Sequence, residues 1–137
     1  MAYFSDLSPY RYDDNHQEGV VHIGWLGEGQ PFSEGIVATH LVAKLKILAQ
    51  SPVELYRGFH ICEVCSPPNE LRPYSIDPAD GEAWWQWAEP RSSNGEIRIA
   101  GDSIIYAAPV LITHYIEAHN YLPPTEFLNA LEKHRME

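Results

Sequence analysis

Two closely spaced cysteines are the feature that most constrains this sequence. The stretch GFHICEVC covers residues 58–65 and contains both cysteines of the chain, Cys62 and Cys65, with His60 two places before the first. A C-x-x-C spacing suits a tight turn that points both sulfur atoms at one place, and the soft, anionic thiolate binds zinc strongly. Because a structural zinc takes four ligands, this pair predicts half of a metal site.

The other half is predicted on a later helix, in the stretch PVLITHYIEAHNY. His114 and His119 lie there with a spacing found in Cys2His2 sites. Residues 66–113 separate them from the cysteines, far more than the roughly 12 residues of a typical zinc finger. On an ideal helix, positions five apart differ by about 140° around the axis. Both histidines therefore reach one ion only if the end of the helix is distorted.

His60 is the alternate ligand. Residues i and i+2 of a strand face the same side, so His60 and Cys62 would point together. The predicted ligand set is Cys62 and Cys65 with two of His114, His119 and His60. The predicted cofactor is a structural zinc ion.

Three interpretations of this site remain open. The first is structural zinc. The second is a zinc-dependent, hydrolase-like enzyme with an open metal position and Glu63 or Glu117 as its base. The third is a metal-free domain in which Cys62 and Cys65 are buried thiols. A redox pair is disfavoured because two prolines, rather than a helix, follow the second cysteine.

Two other histidines are predicted to be structural. His22 and His40 fall within apolar patterns, where a histidine with its hydrogen bonds satisfied in the core is a more frequent outcome than a ligand. Both are therefore expected in the core and outside the metal site.

The pattern of apolar residues predicts an α+β fold in a single small domain covering residues 1–137. At 45% hydrophobic and 20% charged residues the chain has globular composition. We expect a short, mostly antiparallel sheet, with a strand in residues 19–27 and a hairpin in residues 96–109. About three helices and a zinc-stapled cysteine turn complete the predicted fold.

The three helices have recognisable starts. The first is predicted within residues 33–52, with Ser33 as its cap and an apolar stripe that includes Ile36. The second is expected to have Pro109 in its first turn, where the missing N–H is tolerated. The third is expected to begin after Thr125, whose hydroxyl would cap it.

Charge and composition restrict the partners. The formal net charge is -10, from 9 Lys and Arg against 19 Asp and Glu, which repels nucleic-acid phosphates. No apolar run approaches the roughly 18 residues of a membrane span, and no signal peptide is recognised. We therefore expect a soluble, cytoplasmic protein that binds neither nucleic acid nor membrane. Since no catalytic constellation is complete, the sequence favours a non-enzymatic interaction or regulatory module, whose partner would present a basic surface.

Several blocks of the sequence resemble a family of small bacterial proteins of unknown function. The blocks are YFSDLSPYRY, HIGWLGEGQPFSEG, RGFHICEVC, GEIRI and YAAPVLITHYIEAHNYLPPTEF. Together they cover nearly the whole chain. The resemblance implies a bacterial, cytoplasmic origin and supports treating the two cysteines and His60, His114 and His119 as one constellation. It implies no activity.

Overall fold

A computed structural model of the chain describes residues 3–12, 15–53, 60–65 and 85–135. In chain order its elements are β1 (Pro9–Tyr12), β2 (Asn15–His22), α1 (Thr39–Leu48), β3 (His60–Ile61), β4 (Ser92–Ser93), β5 (Glu96–Ala100), β6 (Ile105–Pro109), α2 (Ile112–His119) and α3 (Thr125–Lys133). A helical turn at residues 85–88 runs into a 3₁₀ turn, Glu89–Arg91, before β4. The predicted α+β class is confirmed.

The larger sheet has four strands in the order β1-β2-β6-β5. The outer pairs, β1 with β2 and β5 with β6, are antiparallel, whereas β2 and β6 run parallel in the centre with Val20 opposite Ile105. The predicted hairpin is confirmed, and its turn is closed by the Gly101 N–H, which donates to the Ile104 carbonyl at 2.7 Å. A second, two-stranded antiparallel sheet pairs β3 with β4.

The three helices supply most of the remaining core. The main hydrophobic cluster combines sheet and helix side chains, among them Ile23, Leu45, Ile99, Ile112, Tyr115, Phe127 and Leu131. Burying one such side chain contributes about 1.5–3 kcal/mol. Helix α1 is also tied to its neighbours by polar contacts: Lys44 donates to the Leu131 carbonyl of α3 at 2.6 Å, and Lys46 pairs with Glu117 of α2 at 2.8 Å. Helix α1 therefore has polar contacts with both α2 and α3.

The predicted start of the first helix was wrong. Helix α1 begins at Thr39 with Ala38 at its cap, and Ile36 is 95% exposed. Residues 33–35 instead pair with the segment after α2, since the Leu122 N–H donates to the Ser33 carbonyl at 2.8 Å. The backbone groups that a helix at Ser33 would have used are thus committed to a distant segment.

The other two helix starts are also corrected. Pro109 is the last residue of β6, opposite Glu96, and α2 begins three residues later at Ile112. Thr125 is the first helical residue of α3 rather than its cap, and Pro124 occupies the cap position. Strand β2 covers Asn15–His22 rather than residues 19–27, because Gly24 adopts a left-handed conformation with φ of 73°. In the part of the chain that the structure describes, no helix is long and apolar enough to cross a membrane.

Candidate metal centre

Strand β3 places the first cysteine at the end of a short ladder. Ile61 pairs with Ser92, and the Cys62 N–H then donates to the Arg91 carbonyl at 2.9 Å. The chain bends sharply over residues 63–65, and the Cys65 N–H donates to the Cys62 sulfur at 3.4 Å. This tight turn brings both sulfur atoms to one side and gives Cys62 a donor that stabilises a thiolate.

The last turn of α2 places both histidines on one side. The Asn120 N–H donates to the Tyr115 carbonyl, five residues back rather than four, and Asn120 adopts a left-handed conformation with φ of 57°. A turn closed at this spacing is wider than an α-helical turn, which reduces the angle between positions five apart. The rings of His114 and His119 lie with their centroids 5.1 Å apart. The two rings are thus neighbours where α2 ends.

The four side chains converge on one point. The Cys65 sulfur lies 3.3 Å from Nε2 of both His114 and His119, and the Cys62 sulfur lies 3.5 Å from Nε2 of His119. All four ligand atoms lie within 4.8 Å of one another. A tetrahedron with zinc–sulfur bonds of about 2.3 Å and zinc–nitrogen bonds of about 2.0–2.1 Å has a sulfur–nitrogen edge of roughly 3.6 Å. The observed separations are close to that edge.

Burial at the centre favours the neutral forms of Cys62, His114 and His119. Burial raises the pKa of the Cys62 thiol to about 11, although the hydrogen bond from the Cys65 N–H acts in the opposite direction. Burial, followed by the charges of His119 and Arg91, lowers the pKa of His114, and burial also lowers the pKa of His119. Neutral imidazoles keep a lone pair free for a metal, and a bound divalent cation deprotonates a coordinating thiol.

A buried phenol lies beside the cysteines. Tyr115 of α2 is fully buried, and its pKa is raised by burial first and then by the charges of Cys62 and Glu63. Tyr115 directly follows His114, so its burial holds this part of α2 against the core. Sequence reasoning did not find this residue or the Arg91 carbonyl, because neither has a motif of its own.

The two predicted bases, Glu63 and Glu117, have partners outside the four-atom cluster. Glu63 accepts a hydrogen bond from the Glu28 N–H at 3.1 Å, and Glu117 pairs with Lys46 at 2.8 Å. The backbone of His60 belongs to β3, whereas its side chain lies outside the described part of the chain. Among the described residues, the cluster of Cys62, Cys65, His114 and His119 is the group that could hold a metal ion.

A family model described as "Domain of unknown function (DUF7919)" matches residues 2–132. The chain belongs to this family. The match confirms the expected resemblance to a family without known function, and the four clustered side chains of this chain fall inside the matched range. No curated protein and no solved structure matches the chain.

Proposed function

We propose that the chain is a small zinc-binding domain in which Cys62, Cys65, His114 and His119 hold one structural zinc ion. The observation that carries the proposal is the convergence of four ligand atoms within 4.8 Å. Two sulfur and two nitrogen donors suit zinc, whereas calcium and magnesium prefer oxygen ligands. The sulfur–nitrogen separations of 3.3–3.5 Å need little adjustment to accept the ion.

A structural role is favoured over a catalytic one. Four protein ligands complete a tetrahedron, whereas a catalytic zinc keeps one position for water. The two candidate bases also have other partners, since Glu63 bonds to the Glu28 backbone and Glu117 pairs with Lys46. The hydrolase alternative would require one histidine to leave the metal.

The zinc would join two segments that are distant in sequence. The cysteines follow β3, which pairs with residues just before β5, and the histidines lie on α2, which packs into the main core. Among the described residues, β3 and the cysteine turn comprise only residues 60–65, and they reach the main core through Cys62, Val64 and Cys65. Metal-binding free energy therefore adds directly to the folding free energy of this region.

The domain is further proposed to act in the cytoplasm as a protein-interaction or regulatory module. A reducing compartment keeps both thiols available to a metal. The net charge of -10 favours a partner with a basic surface, and the complex should weaken as ionic strength rises. A partner whose affinity is unchanged by salt would contradict this electrostatic component.

Elemental analysis of protein purified without added metal tests the metal proposal. We expect about one zinc per chain, and a content below about 0.2 would instead support the metal-free domain with buried thiols. X-ray absorption spectroscopy then separates the two zinc alternatives. Two sulfur atoms at about 2.3 Å and two nitrogen atoms at about 2.0–2.1 Å support the structural site, whereas an oxygen ligand in place of one nitrogen supports the hydrolase.

A further inference from the structure

A second candidate site lies in a cleft at the β5–β6 turn. The cleft has a volume of about 610 Å³ and lies between residues 100–106 and the outer side of α3. This volume is within the range of small-molecule sites in proteins. None of the four proposed zinc ligands lines the cleft, so it is separate from the metal centre.

A buried tyrosine forms the floor of this cleft. Tyr106 is only 5% exposed, and its ring packs edge-on against Phe127 of α3 with centroids 5.8 Å apart. A Cβ at Gly101 would lie 2.7 Å from the Tyr106 ring, so the absence of a side chain there lets the ring reach the cleft. The Tyr106 hydroxyl has no hydrogen-bond partner among the described residues. A hydroxyl at the end of an otherwise buried ring is thus left available to a ligand.

Two carboxylates flank that hydroxyl. Asp102 comes from the β5–β6 turn and Glu126 from the first turn of α3, and both line the cleft. Burial, then the charge of Glu126, then that of Asp102 raise the pKa of Tyr106. The two acidic groups therefore act on the same phenol from two different elements. Neither forms an ion pair within the described part of the chain.

One basic residue also lines the cleft, but at its other end. Lys133 lies seven residues after Glu126 on α3, which is about 10 Å along the helix axis. The lining therefore carries two carboxylates against one ammonium group. The acidic end keeps an excess of negative charge, in a chain whose net charge is -10.

We propose that the acidic end of this cleft binds a primary ammonium or guanidinium group, with Asp102 and Glu126 as ionic partners and the Tyr106 hydroxyl as an additional acceptor. Such a cation brings several N–H donors, which match two carboxylates and one phenol oxygen. The group belongs either to a free amine or to a lysine or arginine side chain of a protein.

The test uses the full chain and three probes, followed through its backbone amide NMR signals at low salt. The probes are putrescine, the peptide acetyl-Gly-Arg-Gly-amide, and the same peptide with citrulline, which has the shape of arginine without its charge. We expect the arginine peptide or putrescine to shift the signals of residues 101–106 and of α3 saturably, and the citrulline peptide to leave them unchanged. Tighter binding of putrescine identifies a free amine as the ligand, and tighter binding of the arginine peptide identifies a protein side chain.

Three variants assign the contacts. Asp102→Asn combined with Glu126→Gln should weaken binding at least about tenfold, since charge-assisted hydrogen bonds are lost. Tyr106→Phe keeps the packing against Phe127 and should weaken binding roughly two- to tenfold. The control Glu28→Gln combined with Glu89→Gln removes two other negative charges, which lie near the cysteine turn, and should change affinity less than about twofold.

Three results would overturn the proposal. The first is that neither cationic probe binds saturably. The second is that the citrulline peptide shifts the same signals as the arginine peptide. The third is that the doubly substituted acidic variant binds as the unsubstituted protein does while its NMR spectrum remains folded.

Discussion

His22 is surrounded by aromatic rings, whereas His114 and His119 face cysteine sulfur atoms. His22 is fully buried and stacks on the ring of Phe4 at 3.7 Å, and its Nε2 accepts the Arg11 N–H at 3.0 Å. His114 and His119 are less buried, and each points Nε2 at a cysteine sulfur. Burial is therefore a poor guide to a ligand. The chemistry of the atoms facing the ring nitrogens decides the role.

The largest effect is expected from breaking the metal centre. Cys62→Ser combined with Cys65→Ser removes both thiolates, and we expect it to abolish zinc binding and to lower the free energy of unfolding by at least about 4 kcal/mol. Single His114→Ala and His119→Ala variants should each reduce the zinc content. His134→Ala, which alters a histidine outside the cluster, is the matched control. Chemical denaturation with and without a chelator measures the effect, and equal curves would contradict it.

Truncating the buried histidine should have the next largest effect. His22→Ala leaves a cavity between Phe4, Tyr10 and Trp25, and a loss of about 2–4 kcal/mol is expected from comparable core truncations. Its zinc content should not change, because no sulfur contact of His22 is present among the described residues. Loss of zinc in a folded His22→Ala protein would show that the two environments are coupled.

The same residue predicts a specific dependence of stability on pH. Burial lowers the pKa of His22 to about 4 from its ordinary value of 6.5. The unfolded chain takes up a proton below pH 6.5, whereas the folded chain does not until about pH 4. Neutral His22 therefore makes its full contribution to the free energy of unfolding above pH 6.5. That contribution falls by up to about 3 kcal/mol as the pH is lowered to 4.

The variant His22→Phe isolates this contribution from the acid sensitivity of the metal ligands. A phenyl ring preserves the stacking on Phe4 without titrating. The difference in unfolding free energy between the unsubstituted protein and His22→Phe should change over pH 6.5 to 4 and be constant above pH 7. A constant difference throughout would contradict the lowered pKa.

The smallest effect is expected at the surface histidine. His40 pairs with Glu132 at 2.7 Å, and their side chains are 64% and 56% exposed. An exposed pair contributes about 0–1 kcal/mol, so His40→Ala should change stability by less than about 1 kcal/mol and leave zinc content unaltered. A larger loss in thermal unfolding would indicate that the contact between α1 and α3 depends on this pair.

How far the sequence predicted these environments depends on whether the decisive contacts are local. The cysteine turn, the β5–β6 hairpin and the buried position of His22 follow from short-range patterns, and the structure confirms the last two. His40 was expected in the core and lies on the surface, because α1 begins at Thr39 and turns this residue towards Glu132. That late start depends on the pairing of Ser33 with Leu122, a contact between distant segments that no local pattern reveals.

The candidate site divides in the same way. The C-x-x-C spacing and the two histidines of α2 indicated the four clustered atoms. No short-range pattern separates those histidines from His60, whose side chain lies outside the described part of the chain. The cleft at the β5–β6 turn was not predicted at all. Its parts, Asp102, Tyr106 and Glu126, come from three elements whose proximity is a product of the fold.

The central pairing of β2 with β6 has a consequence for how quickly the chain folds. Each outer pair of the larger sheet is close in sequence and can form as a local hairpin, whereas Val20 meets Ile105 only after most of the chain has been made. Closing so long a loop is entropically unfavourable until the contacts it permits are formed. Folding should therefore be limited by the docking of two early hairpins, on the millisecond-to-second scale of proteins dominated by long-range contacts. The N-terminal hairpin must wait, during synthesis, for its parallel neighbour to emerge.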